Sequence, residues 1–316
     1  MSIKIGVIGC SSIAKRMVIP AIKKSDKFIL SGIASRDKEK ANLWSEQYET
    51  TAFSYSELLN SDVDAIYVSV PVGLHYKWGK QVLQHNKHLL MEKTFTTTHT
   101  QGKDLFSLSE VKSLACMEAL MYQYHPVQKQ IDLCIKNIGA IKHLEAHFGF
   151  PHFRDKSDIR YSKHLGGGAS LDCLIYPLSF VFRTLGTNYT DYKASVYYDK
   201  ECGVDERGYI HIEYPQTAAS ISYGFGHSYR NEITVWGESA IMRTKRVFTR
   251  PKKCSAPIQI WSDKECFDVE PEQSDHFLDM LSAFSDNIKT LNNNSEDTLT
   301  RIRFIEEILN SKGERL

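Results

Sequence analysis

The sequence predicts an α/β protein: an N-terminal doubly wound parallel sheet, then a C-terminal α/β domain with a large, mostly antiparallel open sheet. In the first third, short β-branched runs alternate with segments of helical periodicity, as they do in a doubly wound sheet. After Gly186, four strand-like segments follow one another at short spacing, which is typical of antiparallel strands. The length of 316 residues fits two domains. We expect these domains to be residues 1–118 and 119–316.

The first strand and its turn, Lys4–Ala14, have the order strand, polar turn, helix. This order places backbone N–H groups and a helix dipole beside a dinucleotide diphosphate in a Rossmann domain. Gly9 holds the first glycine position of that fingerprint, Ser11 stands at the second, and Ala14 holds the third, which tolerates alanine. An ordinary strand-to-helix turn explains the same residues equally well. The predicted cofactor-binding residues here are Gly9, Ser11, Ser12 and Ile13.

The second strand, Phe28–Ala34, ends in Ser35-Arg36. An NAD enzyme normally carries an acid here for the ribose 2′-hydroxyl, whereas arginine suits a 2′-phosphate. Ser35 can hydrogen-bond that phosphate, and Arg36 can pair with it. These residues therefore favour NADP(H) over NAD(H), the alternative being that Arg36 is a solvated charge. Asp37 is expected to cap the helix Lys38–Tyr48.

Later strands of the first domain also end in candidate binding residues. The strands are predicted at Ala65–Val70, His88–Met91 and Ser113–Met117, with a helix at Tyr76–Gln84. Ligands of open α/β sheets bind beyond the carboxyl ends of the strands. The residues that we expect at this cofactor edge are Pro71, His75, Glu92 and Lys93.

The second half is predicted to combine helices with short strands. The elements are a helix at Pro126–Ile138, strands at Ile141–Phe150, Tyr192–Tyr198, Gly208–Tyr214, Ala218–Gly224 and Asn231–Trp236, and helices at Asp275–Leu291 and Glu296–Leu309. The last helix, about residues 296–309, is a candidate to pack back on the first domain. The basic run from Arg243 to Lys253 fits a solvated edge strand better than a diphosphate site.

The glycine-rich segment Leu165–Tyr176 predicts a site for proton handling. Its three glycines allow the backbone to approach a ligand or a neighbouring strand, and a helix follows. Asp172 and Tyr176 lie four apart, so both project from one face of that helix. Pro177 should bend the helix beside Tyr176. Two structural explanations compete: Asp172 as an acid that offsets the helix dipole, and Tyr176 as a half-buried aromatic.

The composition is that of a soluble enzyme. A net charge of +1 gives no indication of a nucleic-acid or membrane surface. We find no apolar stretch long enough to span a bilayer, and the chain enters a strand at once rather than a signal-peptide core. The seven cysteines are scattered without paired spacing, which argues against a zinc site or disulfides. We therefore expect a cytoplasmic protein without a metal.

Four motifs together resemble the family of glucose-fructose oxidoreductase, inositol dehydrogenase and MocA-like proteins. They are Gly9–Ala14, Glu92-Lys93, Glu118–Pro126 and Gly166–Tyr176, and they fall in the family order across about half the chain. The resemblance implies a Rossmann domain and an open-sheet domain, with a homodimer or homotetramer formed through that sheet. Two residues depart from the pattern: Thr94 replaces a proline, and Tyr176 replaces the histidine of many members. The tyrosine is similar to that of nucleotide-sugar 3-ketoreductases, dihydrodiol dehydrogenases and related xylose dehydrogenases.

Reduction of a ketone requires a hydride on carbon and a proton on the developing alkoxide. A phenol has a pKa near 10, and a nearby ammonium favours the phenolate that remains after donation. We therefore predict Tyr176 as the proton donor, with Lys93 lowering its pKa and holding substrate or ribose. Asp172 would orient a sugar hydroxyl or Lys93. Weaker candidates for substrate contact are Tyr122, Arg160 and Tyr161.

Three functions fit these residues. The leading one is an NADP(H)-dependent oxidoreductase that reduces a keto group of a nucleotide-linked deoxysugar. The second is an NADP-dependent dehydrogenase of free sugars or dihydrodiols, which would use the same residues. The third, of another class, is a non-catalytic NADP-binding sensor, which Ser11 and Thr94 keep open and Lys93 and Tyr176 oppose.

Overall fold

A computed structural model describes residues 2–153 and 155–311. By their internal contacts, these residues form two compact units. The first unit runs to Met121 and adds Phe277–Ile302. The second unit covers Tyr122–His276 and continues from Arg303. The predicted division into domains at residue 118 stays a prediction.

The first unit is built on a six-stranded parallel sheet. Its strands are β1 Ile3–Ile8, β2 Phe28–Ala34, β3 Ala52–Phe53, β4 Ala65–Val68, β5 His88–Glu92 and β6 Cys116–Ala119. Their order, β3-β2-β1-β4-β5-β6, is that of a Rossmann sheet, so the predicted doubly wound fold is confirmed. Strand order reverses between β1 and β4, and this is the point where such sheets bind their ligands.

Helices follow most strands of the first unit. They are α1 Ile19–Lys24, α2 Lys38–Tyr48, α3 Tyr55–Leu59, α4 His75–Gln84 and α5 His99–Val111. A π-helical turn, Ala14–Val18, precedes α1. Helix α5 was missed in the sequence because its buried positions include Gly102 and Ser109, which hide the apolar periodicity.

The second unit contains an eight-stranded sheet. Its strands are β7 Ile141–Phe150, β8 Asp191–Tyr198, β9 Asp205–Glu213, β10 Ala218–Phe225, β11 Arg230–Gly237, β12 Ile241–Lys245, β13 Ile258–Trp261 and β14 Cys266–Val269. The order is β14-β13-β12-β11-β7-β10-β9-β8, and only β7 and β10 pair in parallel. The predicted large, mostly antiparallel sheet is therefore confirmed.

The prediction of an edge strand in the basic run from Arg243 is wrong. Strand β12 pairs with β11 on one side and with β13 on the other, so it lies inside the sheet. Its buried Met242 and Thr244 alternate with the more exposed Arg243. The prediction failed because the charged residues lie on one face of β12, and the same sequence pattern is typical of a solvated edge strand.

Two helices of the second unit are α6 Val127–Asn137 and α7 Ile175–Leu185. A π-helical turn, Ser170–Leu174, leads directly into α7, so the irregular part of this helix lies just before Pro177. Among the described residues, the helical stretch Lys163–Leu185 reaches the length and apolar composition of a membrane span. Length and composition alone do not identify a membrane span, because buried core helices share both properties. This stretch is 78% buried inside the protein, as a core helix would be.

The last helices are α8 His276–Thr290 and α9 Ser295–Asn310, and the chain returns to the first unit over Phe277–Ile302, which ends within α9. Phe284 of α8 stacks on Phe28 of β2 with ring centroids 5.9 Å apart. The Asn293 side chain accepts the Cys116 N–H of β6 at 2.9 Å. Residues far downstream in the sequence thus pack against strands of the Rossmann sheet and hydrogen-bond to them.

Candidate active site

Gly9 follows β1 and brings the turn against the neighbouring strand β4. Its N–H donates to the Ala34 carbonyl at 2.9 Å, and its φ of 98° lies in the left-handed region. A Cβ at this position would lie only 2.5 Å from the Ser69 carbonyl oxygen. Glycine is therefore required here by the close approach of two strand ends at the switch point.

The two serines of the turn differ in their environment. The Ser11 hydroxyl accepts the Ala14 N–H at 3.1 Å and shares a short hydrogen bond with the Ser69 hydroxyl. It therefore caps the helical segment that begins at Ser12. Ser12 is exposed. Ser11 thus caps the helix at the position where the fingerprint has a glycine. Direct contact of Gly9, Ser11, Ser12 and Ile13 with a cofactor stays a prediction.

At the end of β2, Ser35 contacts the Cys10 thiol, which also senses the charge of Lys40. The Ser35 hydroxyl accepts a hydrogen bond from the Asp37 N–H at 3.2 Å and forms a hydrogen bond with the Cys10 thiol. Burial raises the pKa of the Cys10 thiol, and Ser35 and the charge of Lys40 oppose that rise. Lys40, in the first turn of α2, was not among the predicted residues. A basic residue three positions after a helix cap, beside a strand end, is the signal that could have identified it.

His75 bridges the ends of two strands. It is fully buried; its Nε2 lies 2.8 Å from the Val70 carbonyl oxygen and its Nδ1 2.9 Å from that of Thr94. Burial lowers the pKa of His75 to about 4, so the ring is neutral at pH 7. Pro71 precedes the short helical turn Val72–Leu74 that leads to His75. The geometry gives His75 an internal, bracing role, and cofactor contact by Pro71 and His75 stays a prediction.

Glu92 and Lys93 stand at the end of β5. Tyr67 donates a short hydrogen bond to Glu92, whose other oxygen accepts the Lys93 N–H at 3.2 Å. Burial raises the pKa of the Glu92 carboxyl. The Lys93–Thr94 peptide bond is cis, although residue 94 is not proline.

A buried ion pair holds the backbone just after Lys93. The Glu118 carboxylate of β6 accepts the Phe95 N–H at 2.8 Å and the Arg301 guanidinium N–H at 2.7 Å. Both charged side chains are at most 5% exposed. Glu118 lies in the quoted motif, but its partner from α9 could not be seen in the sequence because 183 residues separate the two.

In the second unit, Asp172 pairs with Arg160. The Arg160 Nε donates to Asp172 at 2.6 Å, its Nη1 donates to Asp158 at 3.2 Å, and its guanidinium lies 4.4 Å from the Phe153 ring centre. Burial opposes the charge of Arg160, but the two carboxylates raise its pKa above the usual value. Since Arg160 is already balanced by two acids, it fits the role of orienting Asp172. Substrate contact by Arg160 stays a prediction.

Tyr176 is 5% exposed and belongs to an aromatic cluster. Its ring centre lies 4.8 Å from that of Phe148, 6.0 Å from that of Phe248 and 6.1 Å from that of Tyr122. The Tyr122 hydroxyl is 2.6 Å from that of Ser179, which donates to the Tyr176 carbonyl at 2.7 Å. Rigid neighbours on several sides fix the ring of Tyr176, as a proton donor requires.

The other predicted substrate residues are also buried. Tyr122 is fully buried, and Tyr161 is 4% exposed with its ring edge-on to Phe225. Burial raises the pKa of Tyr161. Substrate contact by either tyrosine stays a prediction. Within residues 2–153 and 155–311, no three His, Cys, Asp or Glu side chains come together as metal ligands would.

The glycine loop approaches a neighbouring strand. A Cβ on Gly167 would lie 2.4 Å from the Arg160 carbonyl oxygen, and one on Gly168 would lie 2.1 Å from an Asp205 carboxylate oxygen. Of the two uses predicted for these glycines, the structure shows the close approach within the protein.

Known proteins resemble this chain along most of its length. Over 292 residues it is 32% identical to a dTDP-3,4-didehydro-2,6-dideoxy-alpha-D-glucose 3-reductase of Saccharopolyspora spinosa, covering 91% of this chain and 88% of that protein. A D-xylose 1-dehydrogenase (NADP(+)) of Haloferax volcanii is 32% identical over 219 residues, covering 68% and 67% of the two chains.

A solved structure is similar across both units. KijD10, a 3-ketoreductase from Actinomadura kijaniata in complex with NADP and TDP-benzene, matches with a TM-score of 0.93 and 29% identity. The match covers 98% of this chain and 97% of KijD10. KijD10 has also been solved with a tyrosine replaced by phenylalanine and with a lysine replaced by alanine.

Two family profiles match the sequence in the expected order. Residues 3–120 match the oxidoreductase family with an NAD-binding Rossmann fold, and residues 135–243 match the GFO/IDH/MocA C-terminal domain. The family predicted from four motifs is thus confirmed: the chain belongs to the GFO/IDH/MocA family of oxidoreductases.

Proposed function

We propose that this protein is an NADP(H)-dependent oxidoreductase that reduces a keto group of a nucleotide-linked deoxysugar. The observation that carries the proposal is the full-length similarity to a 3-ketoreductase bound to NADP and TDP-benzene. Tyr176, fixed in its aromatic cluster, supports the same assignment.

The donor groups at the switch point fit NADP. Gly9 and the following turn would hold the diphosphate through backbone N–H groups and a helix N-terminus. Ser35, Arg36 and Lys40 would hold the 2′-phosphate, since a hydroxyl and two cations suit a dianion. The nearby Asp37 carboxylate accepts the Lys40 N–H at 3.0 Å as the cap of α2, and it stands later than the position where an NAD enzyme carries its ribose-binding acid.

The chain itself must supply and stabilise a proton. NADPH, when bound, supplies the hydride that reduces the carbonyl carbon. Tyr176 donates its phenol proton to the carbonyl oxygen as negative charge develops there. Lys93 stabilises the phenolate that remains, because a cation favours the ionised form of the phenol. Asp172, oriented by Arg160, accepts a hydrogen bond from a hydroxyl of the sugar.

A Tyr176→Phe variant tests this mechanism. We expect kcat with a dTDP-linked 3-keto-deoxysugar to fall by about 10²- to 10⁴-fold, the usual contribution of a positioned general acid. NADPH affinity, measured by fluorescence titration, should not change. The matched control is Tyr214→Phe, which removes another buried hydroxyl, bonded to the Gly186 carbonyl. Full turnover of Tyr176→Phe with Lys93 intact would show that the mechanism is wrong.

A second candidate function is the dehydrogenation of free sugars or dihydrodiols. It is favoured by the similarity to a D-xylose dehydrogenase. Comparing kcat/KM for the dTDP-sugar with that for D-xylose and a dihydrodiol separates the two functions. NADPH binding without any turnover would instead support a sensor.

We also propose a cytoplasmic homodimer or homotetramer that assembles through the open face of the eight-stranded sheet. Large aromatic side chains on this face support the interface: Trp236 is 60% exposed and Tyr209 is 46% exposed. Strand pairing places both residues on the same face, in line with His143 and His147 of the central strand β7.

A further inference from the structure

We infer that Asp205 is a positioning residue: from the neighbouring strand β9 it caps the helix that carries Asp172 and Tyr176. The capping rests on the contacts of Asp205 alone. Its consequence for turnover rests on the proposed function.

The Asp205 carboxylate lies at the start of that helix. It accepts the Ser170 N–H at 2.5 Å and also bonds to the Ser170 hydroxyl and the Ala169 N–H. The π-helical turn begins at Ser170, so these N–H groups have no acceptor within the helix. A carboxylate at this end also interacts favourably with the helix dipole. Because no residue of the helix supplies this cap, the side chain of another strand replaces it.

A bulge turns Asp205 toward the helix. Tyr197 of β8 pairs with Arg207, but the next residue, Tyr198, pairs with Asp205, so Glu206 is an extra residue in β9. Side chains of a regular strand alternate between the two faces, which would put residues 205 and 208 on opposite sides. The bulge shifts this alternation, and bulges next to active sites commonly re-aim one side chain in this way.

The space around Asp205 is filled by protein. A Cβ on Gly168, whose φ is 121°, would lie 2.1 Å from the Asp205 carboxylate. The Ser170 hydroxyl is also 2.8 Å from that of Tyr223, and a Cβ on Gly208 would meet the Tyr223 hydroxyl at 2.4 Å. Asp205 and Tyr223 are 4% and 0% exposed. The two glycines therefore allow close contact between helix and sheet and leave no space for a ligand there.

Burial and hydrogen bonding act in opposite directions on the pKa of the Asp205 carboxyl. Burial raises this pKa, and the bonds from Ser170 and Ala169 act in the opposite direction. Asp172 and Tyr176 follow within two turns of this cap. A displacement of about 1 Å in a catalytic group can cost about 100-fold in rate, so a loosened helix start should reduce turnover.

The test compares Asp205→Asn with Tyr223→Phe as the matched control. Asparagine keeps the size of the side chain but removes one acceptor, whereas Tyr223→Phe removes only the hydroxyl beyond Ser170. We expect Asp205→Asn to speed hydrogen exchange of residues 165–176 at least tenfold and to lower kcat roughly 10- to 100-fold. NADPH affinity should stay within about twofold, and the solvent isotope effect on kcat should rise, because a poorly placed donor slows proton transfer. Tyr223→Phe should change these values by less than about threefold.

Each outcome decides a separate question. The inference is overturned if hydrogen exchange of residues 165–176 is unchanged in Asp205→Asn. It is also overturned if kcat falls only in proportion to the loss of folded protein and the solvent isotope effect is unchanged. If Asp205→Asn does not fold, Ser170→Ala retains the N–H and removes the hydroxyl bonds to Asp205 and Tyr223, of which Tyr223→Phe removes the second alone. Ser170→Ala should then give a smaller rise of exchange and of the isotope effect, and no rise in either counts against the cap. Hydrogen exchange needs no substrate, so a wild-type protein without turnover refutes the proposed function and leaves the cap to be judged by exchange.

Discussion

The carboxylate of Asp37 lies one residue beyond Arg36, close to the place where an NAD enzyme uses an acid to bind the ribose. In this protein that carboxylate caps α2, while Arg36 and Lys40 are exposed. At the scale of single residues, the preference for NADP(H) over NAD(H) depends on which polar side chains already have a hydrogen-bonding role in the protein. Sequence identified Ser35, Arg36 and the cap Asp37, but the place of Lys40 depends on how α2 leaves the strand.

Replacing Arg36 or Lys40 by alanine should weaken NADPH binding specifically. A hydrogen bond to a charged group contributes about 1.5–3 kcal/mol, so we expect roughly 10- to 100-fold loss of NADPH affinity for each change. NADH affinity should change by less than about threefold, because NADH has no 2′-phosphate. Fluorescence titration with both cofactors measures this difference. Lys23→Ala, at the end of α1, is the control, and equal loss for NADPH and NADH would contradict the assignment.

At the scale of secondary structure, elements with clear caps and periodicity were predicted closely. Helix α2 occupies Lys38–Tyr48 and β7 occupies Ile141–Phe150, both as predicted, and Asp37 caps α2. The strands β13 and β14 were missed because each has only four residues, too few to establish an alternation, and much of β14 is exposed. The start of β9 was placed at Gly208, since the bulge at Glu206 breaks the alternation on which the prediction depends.

In the candidate site, too, only features with a local sequence pattern could be predicted. Tyr176, Asp172 and Lys93 were found from local spacing and motifs, whereas their supports come from distant parts of the chain. Arg301 and Asp205 belong to elements whose register no local pattern reveals. Side-chain partners of this kind depend on tertiary contacts, so only the structure identifies them.

Arg301→Met should strongly destabilise the first unit. It would leave the Glu118 carboxylate buried without its partner, and breaking one side of a buried pair typically costs about 3–5 kcal/mol. The comparison variant is Lys289→Met, which removes an exposed pair with Asp286 and should cost less than about 1 kcal/mol. Urea unfolding measures both changes. A similar small effect for the two variants would mean that the buried pair contributes no more than a surface pair.

At the scale of the whole molecule, the proposed assembly depends on the open face of the eight-stranded sheet. A Trp236→Asp substitution on this face adds a charge to the proposed interface and removes a large exposed aromatic side chain. We expect the protein to shift toward monomers with the fold retained, because burying an unpaired charge is costly. Sedimentation velocity and circular dichroism measure these two properties. Lys142→Asp, an exposed substitution on β7, is the control, and an unchanged oligomer in Trp236→Asp would place the interface elsewhere.

The return of the chain to the first unit has a consequence for synthesis. When residues up to Met121 have left the ribosome, all six strands of the Rossmann sheet have been made, but Phe284, Asn293 and Arg301 have not. The Glu118 carboxylate would then face a nascent chain without its cation, and Phe28 would lack the ring that covers it. The first unit therefore reaches its complete set of contacts only at the end of translation, after the second unit has emerged.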